Sequence, residues 1–581
     1  MVAARAEPKS SAMYVSIVLF YLACAATLNP RLLHLFTASA GVTGNLLVAL
    51  FILQLNIFWI FGGYYFLLGV FTPIDRMLRP PRPSARRCGP AVAMLYTTMN
   101  DFQEDAALSC LEQDYTSAHL FILDDSVDIE SRAAIDAFGA RHAGSVTVVR
   151  REDRHGFKAG SINSALRKHV RDFPYFLVAD ADSVLPRDFV SSLIPYFDLG
   201  DDIAWVQGSH APNPAQKSPC ARDMALGILP LWEIYYGPRN RFGNVVFMGH
   251  GGIIRYDVWQ EAGGFPEIVS EDLAFSTRAG VLGYRGYFAH DVVSFEDFPI
   301  GYRQLRRQQA RYVKGVCEYL HRESGRYLRA RNVHWFEKLD VVLSCGTLFL
   351  PALVLCFMIT FCLLVPLRFG IWAEMTLQIA GRDVSTIPAL LLGGGFPELW
   401  NWPYFAVTAL CTLAPVLGCF SVMARYPIRG TKMFLMSGVP YMSLLVMITA
   451  SIVSYLLSHR AVFLVTGDRW GVDPRSYPRG FSPAMHIVER IGAEDSITRI
   501  AELVLGIAFT ALCILTVNVS LMSFGLALVL GPLLSRVRWE APLIRPLLFM
   551  PFVFVCAGLL LGGMNVASAQ GVTMSVLFFH F

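Results

Sequence analysis

Charge is the first thing this chain is short of. Of its 581 residues only 16% are charged, while 54% are hydrophobic; a soluble protein carries about 25% charged residues. A wholly water-soluble chain is thereby excluded. The shortage is also uneven, because charge gathers between about Arg76 and Arg331 and the flanks are nearly bare. That pattern predicts a soluble domain inserted between membrane segments. No Cys-x-x-Cys pair and no Cys/His metal spacing occur among the twelve cysteines. Cys345, Cys356, Cys362 and Cys556 lie in apolar runs and read as packing residues. Net charge is only +4 and no basic-aromatic patch is present, so nucleic acid is not an expected partner. No small-x-small cleavage site follows the apolar stretch after Arg5 and Lys9, so the first span is expected to stay uncleaved.

What is abundant is apolar sequence. A spanning helix needs roughly 17–25 apolar residues, and candidates lie at about 12–28, 44–71, 339–366, 403–424, 500–517, 519–535 and 546–566. Arg76, Arg79, Arg82, Arg86 and Arg87 follow the second candidate and mark its cytosolic end. Arg425, Arg429 and Lys432, and again Arg460 to Arg499, mark two further cytosolic stretches. Both are inside only if 433–457 does not cross, so that segment is predicted to be interfacial or re-entrant. The expected order is an N-terminal hairpin (1–75), a cytosolic domain (88–320) and an interfacial helix (321–338). A transmembrane pair (339–424) with an outer loop at 367–402 follows. After 433–457 come a cytosolic region (458–499), C-terminal spans (500–566) and an outer tail (567–581).

Inside the domain, short apolar runs alternate with helical ones. Pro90–Tyr96, Ala118–Leu123, Val146–Val149 and Tyr175–Ala179 read as buried strands. Glu104–Glu112, Asp128–Ala140 and Ala159–Val170 read as connecting helices. This predicts a doubly wound, Rossmann-like α/β domain with ligands at the carboxyl ends of the strands.

Two acidic clusters stand at those ends: Asp124–Asp125, and Asp180-Ala-Asp182. An Asp-x-Asp pair presents oxygens to a hard dication that also holds substrate phosphates. Helix capping explains either cluster alone about as well. A third acidic pair, Glu271–Asp272, contains a candidate general base, or else a charge favoured by the dipole of the following helix. The run from Tyr302 to Tyr312 holds Arg303, Arg306, Arg307 and Arg311. Arginine suits phosphate, and it equally suits a collar against anionic lipid, with Arg303, Arg306 and Arg307 toward lipid and Arg311 toward the site.

Taken in order, Asp-Asp, Asp-x-Asp, Glu-Asp and Gln308-Gln309-Ala310-Arg311-Tyr312 resemble the processive, membrane-embedded family-2 glycosyltransferases. That group includes cellulose, curdlan, hyaluronan and chitin synthases. Thr97–Asp101, Lys158–Asn163, Val206–His210, Phe247–Gly252 and Phe463–Gly467 resemble further segments of that family, in the same order. The resemblance implies a GT-A-type catalytic domain. It implies that Thr98, Asn100, Asp124, Asp125 and Lys158 hold the nucleotide, and that Asp180 and Asp182 hold the sugar diphosphate and Mg²⁺ or Mn²⁺. Asp272 would be the base, with Glu271 beside it. Gln308 and Arg311 would close on the diphosphate, Tyr312, His250 and Gln207 would meet the acceptor, and Phe463, Val465 and Thr466 would form a gating loop.

The implied activity is polymerisation of UDP-glucose into a β-glucan, with export through the membrane. The implied setting is a bacterial inner membrane, with the catalytic domain cytosolic, lipid around the spans and envelope export partners possible. Two other readings stay open: a single-addition transferase acting on a membrane lipid or glycolipid, and a transporter with a catalytically dead domain. Three positions depart from the cellulose synthase pattern: Tyr312 where Trp is usual, Met99 where Tyr is usual, and Gly467-Asp468-Arg469 in the gating loop. The short 567–581 stretch leads us to expect no cyclic-dinucleotide module in cis.

Overall fold

The structure, a computed structural model, describes residues 9–38, 41–227, 232–360, 373–379, 382–389, 402–423, 442–461, 496–515 and 519–534, with single positions between 428 and 560. The gating-loop residues Phe463, Val465 and Thr466 lie outside the described residues.

Helices α1 (Ala12–Leu33) and α2 (Gly41–Leu78) pack through Cys24, Leu28 and Leu32 against Val48, Phe51, Leu55 and Trp59. Ala12–Thr37 and Gly41–Leu78 are each long and apolar enough to cross a membrane. At 38 residues α2 measures about 57 Å, well beyond the ~30 Å of a hydrocarbon core. Its excess length reaches the α/β domain, where Arg76 and Arg79 both pair with Glu233 at 3.2 and 3.3 Å.

The domain begins with β1 (Val92–Thr98), α3 (Glu104–Leu111), β2 (Ala118–Asp124), α4 (Ile129–Arg141), β3 (Val146–Val149), α5 (Phe157–His169) and β4 (Tyr175–Asp180). It continues with β5 (Ile203–Pro212), β6 (Gly252–Arg255), α6 (Glu271–Val281) and β7 (Arg285–Glu296). The seven strands form one sheet in the order β3-β2-β1-β4-β6-β5-β7. β1 to β4 run parallel, as the alternating pattern predicts. β6 is antiparallel to both its neighbours, so the sheet is mixed rather than wholly parallel. In β1, Val92, Met94 and Tyr96 enter one apolar core, and Ala93 and Leu95 enter the other. Helices therefore cover both faces, and the two-residue period decides which side chain meets which layer. Such fully buried large side chains contribute about 1.5–3 kcal/mol each. Asp128 caps α4 by accepting from the Ser131 N–H.

After the sheet comes α7 (Tyr302–Arg322), then α8 (Trp335–Thr347) and α9 (Leu350–Ile359), which meet at a 58° bend within the predicted third span. α10 (Trp402–Met423), α11 (Leu445–Ser458), α12 (Ser496–Leu515) and α13 (Val519–Leu534) complete the helical part. α11 has 14 residues and packs through Leu444, Met447, Ile448 and Tyr455 on Tyr302, Leu305, Val313 and Cys317 around α7. Two ties hold α7 there: Arg306 pairs with Glu502 of α12 at 2.7 Å, and the Tyr302 hydroxyl meets the Ser443 hydroxyl. Arg306 is 1% exposed. It is therefore not part of a lipid-facing collar with Arg303 and Arg307, because its guanidinium is neutralised by a carboxylate 196 residues away.

Candidate active site

The parallel arrangement brings the ends of β1, β2 and β4 together, and with them Thr98, Asp124 and Asp180. At β2, Asp124 is 3% exposed. Its oxygens accept from Arg150 Nε at 2.6 Å and Ser126 N–H at 2.8 Å. Asp125 beside it takes a two-pronged bond from Arg151 at 2.9 and 2.7 Å, and the same guanidinium donates to the His155 and Phe157 carbonyls. Asp124 and Asp125, both expected at the nucleotide, are thus each held by an arginine; the Asp124 carboxylate is enclosed while that of Asp125 is 11% exposed. Asn100 adopts φ +63° and accepts from the Val127 and Asp128 N–H groups at 2.8 and 2.9 Å. Thr98 donates to Asp101 at 2.9 Å. Both therefore shape the loop around Met99, whose sulfur lies 3.1 Å from Arg154 Nη2. Arg150 and Arg151 were missed in the sequence. The available signal was position: they leave β3 beside the end of its parallel partner β2.

At β4, Lys158 from α5 reaches Asp180 and also donates to the Gly249 carbonyl at 2.9 Å. Burial alone would raise the Asp180 pKa, but Lys158 and His250 outweigh it and hold that carboxyl at about 2. Asp182 moves the other way, raised by burial and then by Asp180, Glu296 and Asp297. The Asp180 and Asp182 carboxylates repel each other, and the pair fits a hard dication, which would relieve that repulsion.

The third acidic pair opens α6 and faces the same space. Gly249 has φ +83°, and a Cβ placed there would stand 3.3 Å from Asp272 Oδ2 and 3.8 Å from Lys158 Nζ. The glycine both permits the backbone turn and lets Asp272 approach Lys158. Burial raises both carboxyls, and in Glu271 the adjacent Asp272 adds to the effect. Arg311 of α7 lies over the Tyr312 ring at 5.6 Å and contributes to the field that lowers Asp180. Tyr312 is 42% exposed, and its phenol senses Glu296 and Asp272. Gln308 is half-buried on the same helix.

Gln207, expected at the acceptor, is wholly buried. Its amide donates to the carbonyls of Gly208, His250 and Gly251 and accepts from Met248 N–H at 3.0 Å. These bonds brace the 248–251 loop. His250 does line the site, 4.0 Å from Asp180 and 3.2 Å from Glu296. Glu296, at the end of β7, was not singled out in the sequence; only its position four residues before Ile300 and the α7 run hinted at it.

Residues 175–467 match the family described as glycosyl transferase family group 2. Among curated proteins, the chain is 25% identical over 307 residues to glucomannan 4-beta-mannosyltransferase 7 of Arabidopsis thaliana, covering 51% of this chain and 50% of that one. It is 26% identical over 297 residues to glucomannan 4-beta-mannosyltransferase 1 of Oryza sativa subsp. japonica, covering 49% and 56%. The chain thus spans about half the length of the curated relatives it matches. Among solved structures, a mannosyltransferase from Pyrobaculum calidifontis in complex with GDP-Man and Mn²⁺ is similar with TM-score 0.40 and 18% identity, over 66% of this chain and 99% of that one. The family match takes in half the chain and includes β4, β6, α6 and α7 with the acidic residues and arginines they carry, so the chain belongs to glycosyl transferase family group 2.

Proposed function

We propose that this chain is a processive, inverting transferase that adds hexose units from a nucleotide-activated donor to a growing β-linked polysaccharide and passes the product across the membrane. The observation that carries the reading is the convergence of Asp180, Lys158, Asp272 and Arg311 around Gly249.

In this reading Asp125 with Arg151 borders the nucleotide, and Lys158 fixes Asp180 toward the diphosphate. A Mg²⁺ or Mn²⁺ ion, when bound at Asp180 and Asp182, offsets the charge of the diphosphate. Arg311 adds a second positive group on the side of α7, where it opposes charge growing on the leaving group. Asp272 takes the proton of the acceptor hydroxyl. Its raised proton affinity brings it nearer the working pH of a general base than an ordinary aspartate. Attack from the side opposite the leaving group converts an α-linked donor into a β linkage. Tyr312 offers a ring on which an acceptor sugar stacks.

The sequence points to UDP-glucose as donor; the curated relatives are named as mannosyltransferases of glucomannan, so the proposed donor class is a gluco- or manno-configured nucleotide hexose. The catalytic domain is placed on the cytosolic side of a bacterial inner membrane, with the helices on either side crossing it. Polysaccharide and lipid are the partners this requires.

The test is purified full-length protein in nanodiscs, incubated with a panel of UDP- and GDP-hexoses and Mg²⁺ or Mn²⁺. Linkage-specific digestion then identifies the product. An Asp272→Asn variant is expected to lose at least a hundredfold in nucleotide release while donor affinity stays within twofold. Retained turnover would overturn the base assignment; products one sugar longer than the acceptor would overturn processivity.

A further inference from the structure

Behind the acidic pair lies a second group of ligand-type side chains. His210 on β5, His250 in the loop before β6 and Glu296 at the end of β7 each offer one donor atom, and these atoms all lie within 4.8 Å of one another. Glu296 Oε2 stands 3.4 Å from His210 Nδ1 and 3.2 Å from His250 Nε2. As they stand, these contacts are His–Glu hydrogen-bonded pairs, at or beyond the long end of the range of about 2.7–3.2 Å. Donors each about 2.1 Å from one ion stand about 3.0–3.4 Å apart, so these two edges have the spacing of a coordination shell.

The group is also held rigidly. The side chain of His210 is 3% exposed and that of His250 13%. The two imidazole rings lie 4.3 Å apart, tilted by 36°, and the Trp232 ring lies 4.6 Å from His210. The other ring nitrogens are also in polar contact: His250 Nδ1 meets Ser183 Oγ at 3.3 Å, and His210 Nε2 lies 3.3 Å from the Gln207 amide nitrogen. Three different strands or loops are drawn together here, and none of the three residues is needed to hold the diphosphate in the proposed reaction.

We propose that His210, His250 and Glu296 form a cation site of their own, distinct from Asp180 and Asp182 and selective for Mn²⁺, Co²⁺ or Zn²⁺ over Mg²⁺. Two imidazole nitrogens and one carboxylate form a donor set of borderline softness; Mg²⁺ favours all-oxygen shells. The acidic pair is the reverse case, so one protein would carry two cation sites of different preference. His250 Nε2 is 4.0 Å from Asp180 Oδ2, which lets an ion in the inner site alter the field felt by the outer one. The inference does not depend on sugar transfer, and it is tested without a nucleotide sugar.

The experiment is pulsed electron paramagnetic resonance on the full chain in nanodiscs loaded with Mn²⁺ alone, with thermal unfolding as the folding control. Wild-type protein is expected to show ¹⁴N couplings from two imidazoles. His210→Ala should leave one, Glu296→Gln should weaken Mn²⁺ binding at least tenfold, and Asp182→Asn should keep both couplings. Absence of nitrogen coupling in the wild type overturns the proposal. So does its loss in Asp182→Asn, which would assign the imidazoles to the acidic-pair ion. Should His210→Ala not fold, visible absorption of Co²⁺ on the wild type decides: nitrogen-ligated d–d bands support the site, and a hexa-aqua-like spectrum refutes it. A chain that binds Mn²⁺ through nitrogen yet transfers no sugar would refute only the proposed function.

Discussion

Replacing Asp340 with leucine tests how the catalytic domain is joined to the helices beneath it. Arg239 and Asp340 are 2% and 1% exposed. The guanidinium bonds the carboxylate at 2.8 to 3.2 Å, donates to Tyr64 and Ser344 at 2.8 and 2.9 Å, and lies 4.1 Å over the Tyr235 ring. Asp340 also accepts the Asn244 N–H at 2.8 Å. One cluster therefore ties α2, α8 and the chain segment leading to the 248–251 loop. Removing one partner of a buried ion pair costs about 3–5 kcal/mol, because the remaining charge keeps its desolvation penalty. Arg239 would retain Tyr64, Ser344 and a ring face, which places the expected cost in the lower half, about 3–4 kcal/mol. At 1.4 kcal/mol per factor of ten, the folding equilibrium falls by roughly two to three powers of ten. The assay is equilibrium unfolding in mixed micelles followed by tryptophan fluorescence. The double variant Arg239→Met, Asp340→Leu removes both charges and should recover most of the loss. A single variant costing less than about 1 kcal/mol, or a double variant as costly as the two singles summed, would refute the reasoning.

Gly249→Ala should lower kcat by at least tenfold, since an alanine at φ +83° costs about 1–2 kcal/mol and its methyl group crowds Asp272; steady-state kinetics on the folded variant checks this. Arg151→Lys replaces a two-pronged bond with a point charge and should raise the donor KM about tenfold with a smaller change in kcat, read by initial rates over a donor series. The pH dependence follows from Asp272: its carboxyl binds a proton more tightly than an ordinary aspartate, and only the deprotonated form accepts a proton from the acceptor. Activity should therefore fall on the acid side at a pH above the ordinary aspartate value of about 3.9; a profile flat down to pH 4 would contradict that.

The first four strands were readable because each is a short apolar run bounded by helices of a different period. Val146–Val149 agrees to the residue, and the other three within two. The far half of the sheet was harder. β6 has only four residues, and its reversed direction depends on pairing with β4 and β5, which no local period encodes. The same distinction runs through the site. Aspartates at strand ends carry a local signature. Arg151 carries none, since its partner is 26 residues away, and neither does Glu296, whose partners stand on β5 and in the loop before β6. Arg306 looks like its neighbours Arg303 and Arg307 in sequence. Its burial against Glu502 is not legible there.

That last pair has a mechanical meaning. α7 carries Arg311 and Tyr312 at its middle, and one turn earlier it is pinned to α12 through Arg306 and Glu502. Beyond them its far end meets the underside of α6 and α8, where Val316 and Tyr319 join Ala274 and Val341. A rod fixed at both ends cannot let its midpoint drift on its own. In the proposed reaction, the place of the guanidinium relative to the diphosphate would then be set by the spacing of the helices around it. With the proposed topology, the thickness and lateral pressure of the surrounding bilayer would become inputs to turnover, and lipids of different chain length would be expected to change the rate of synthesis without touching the site.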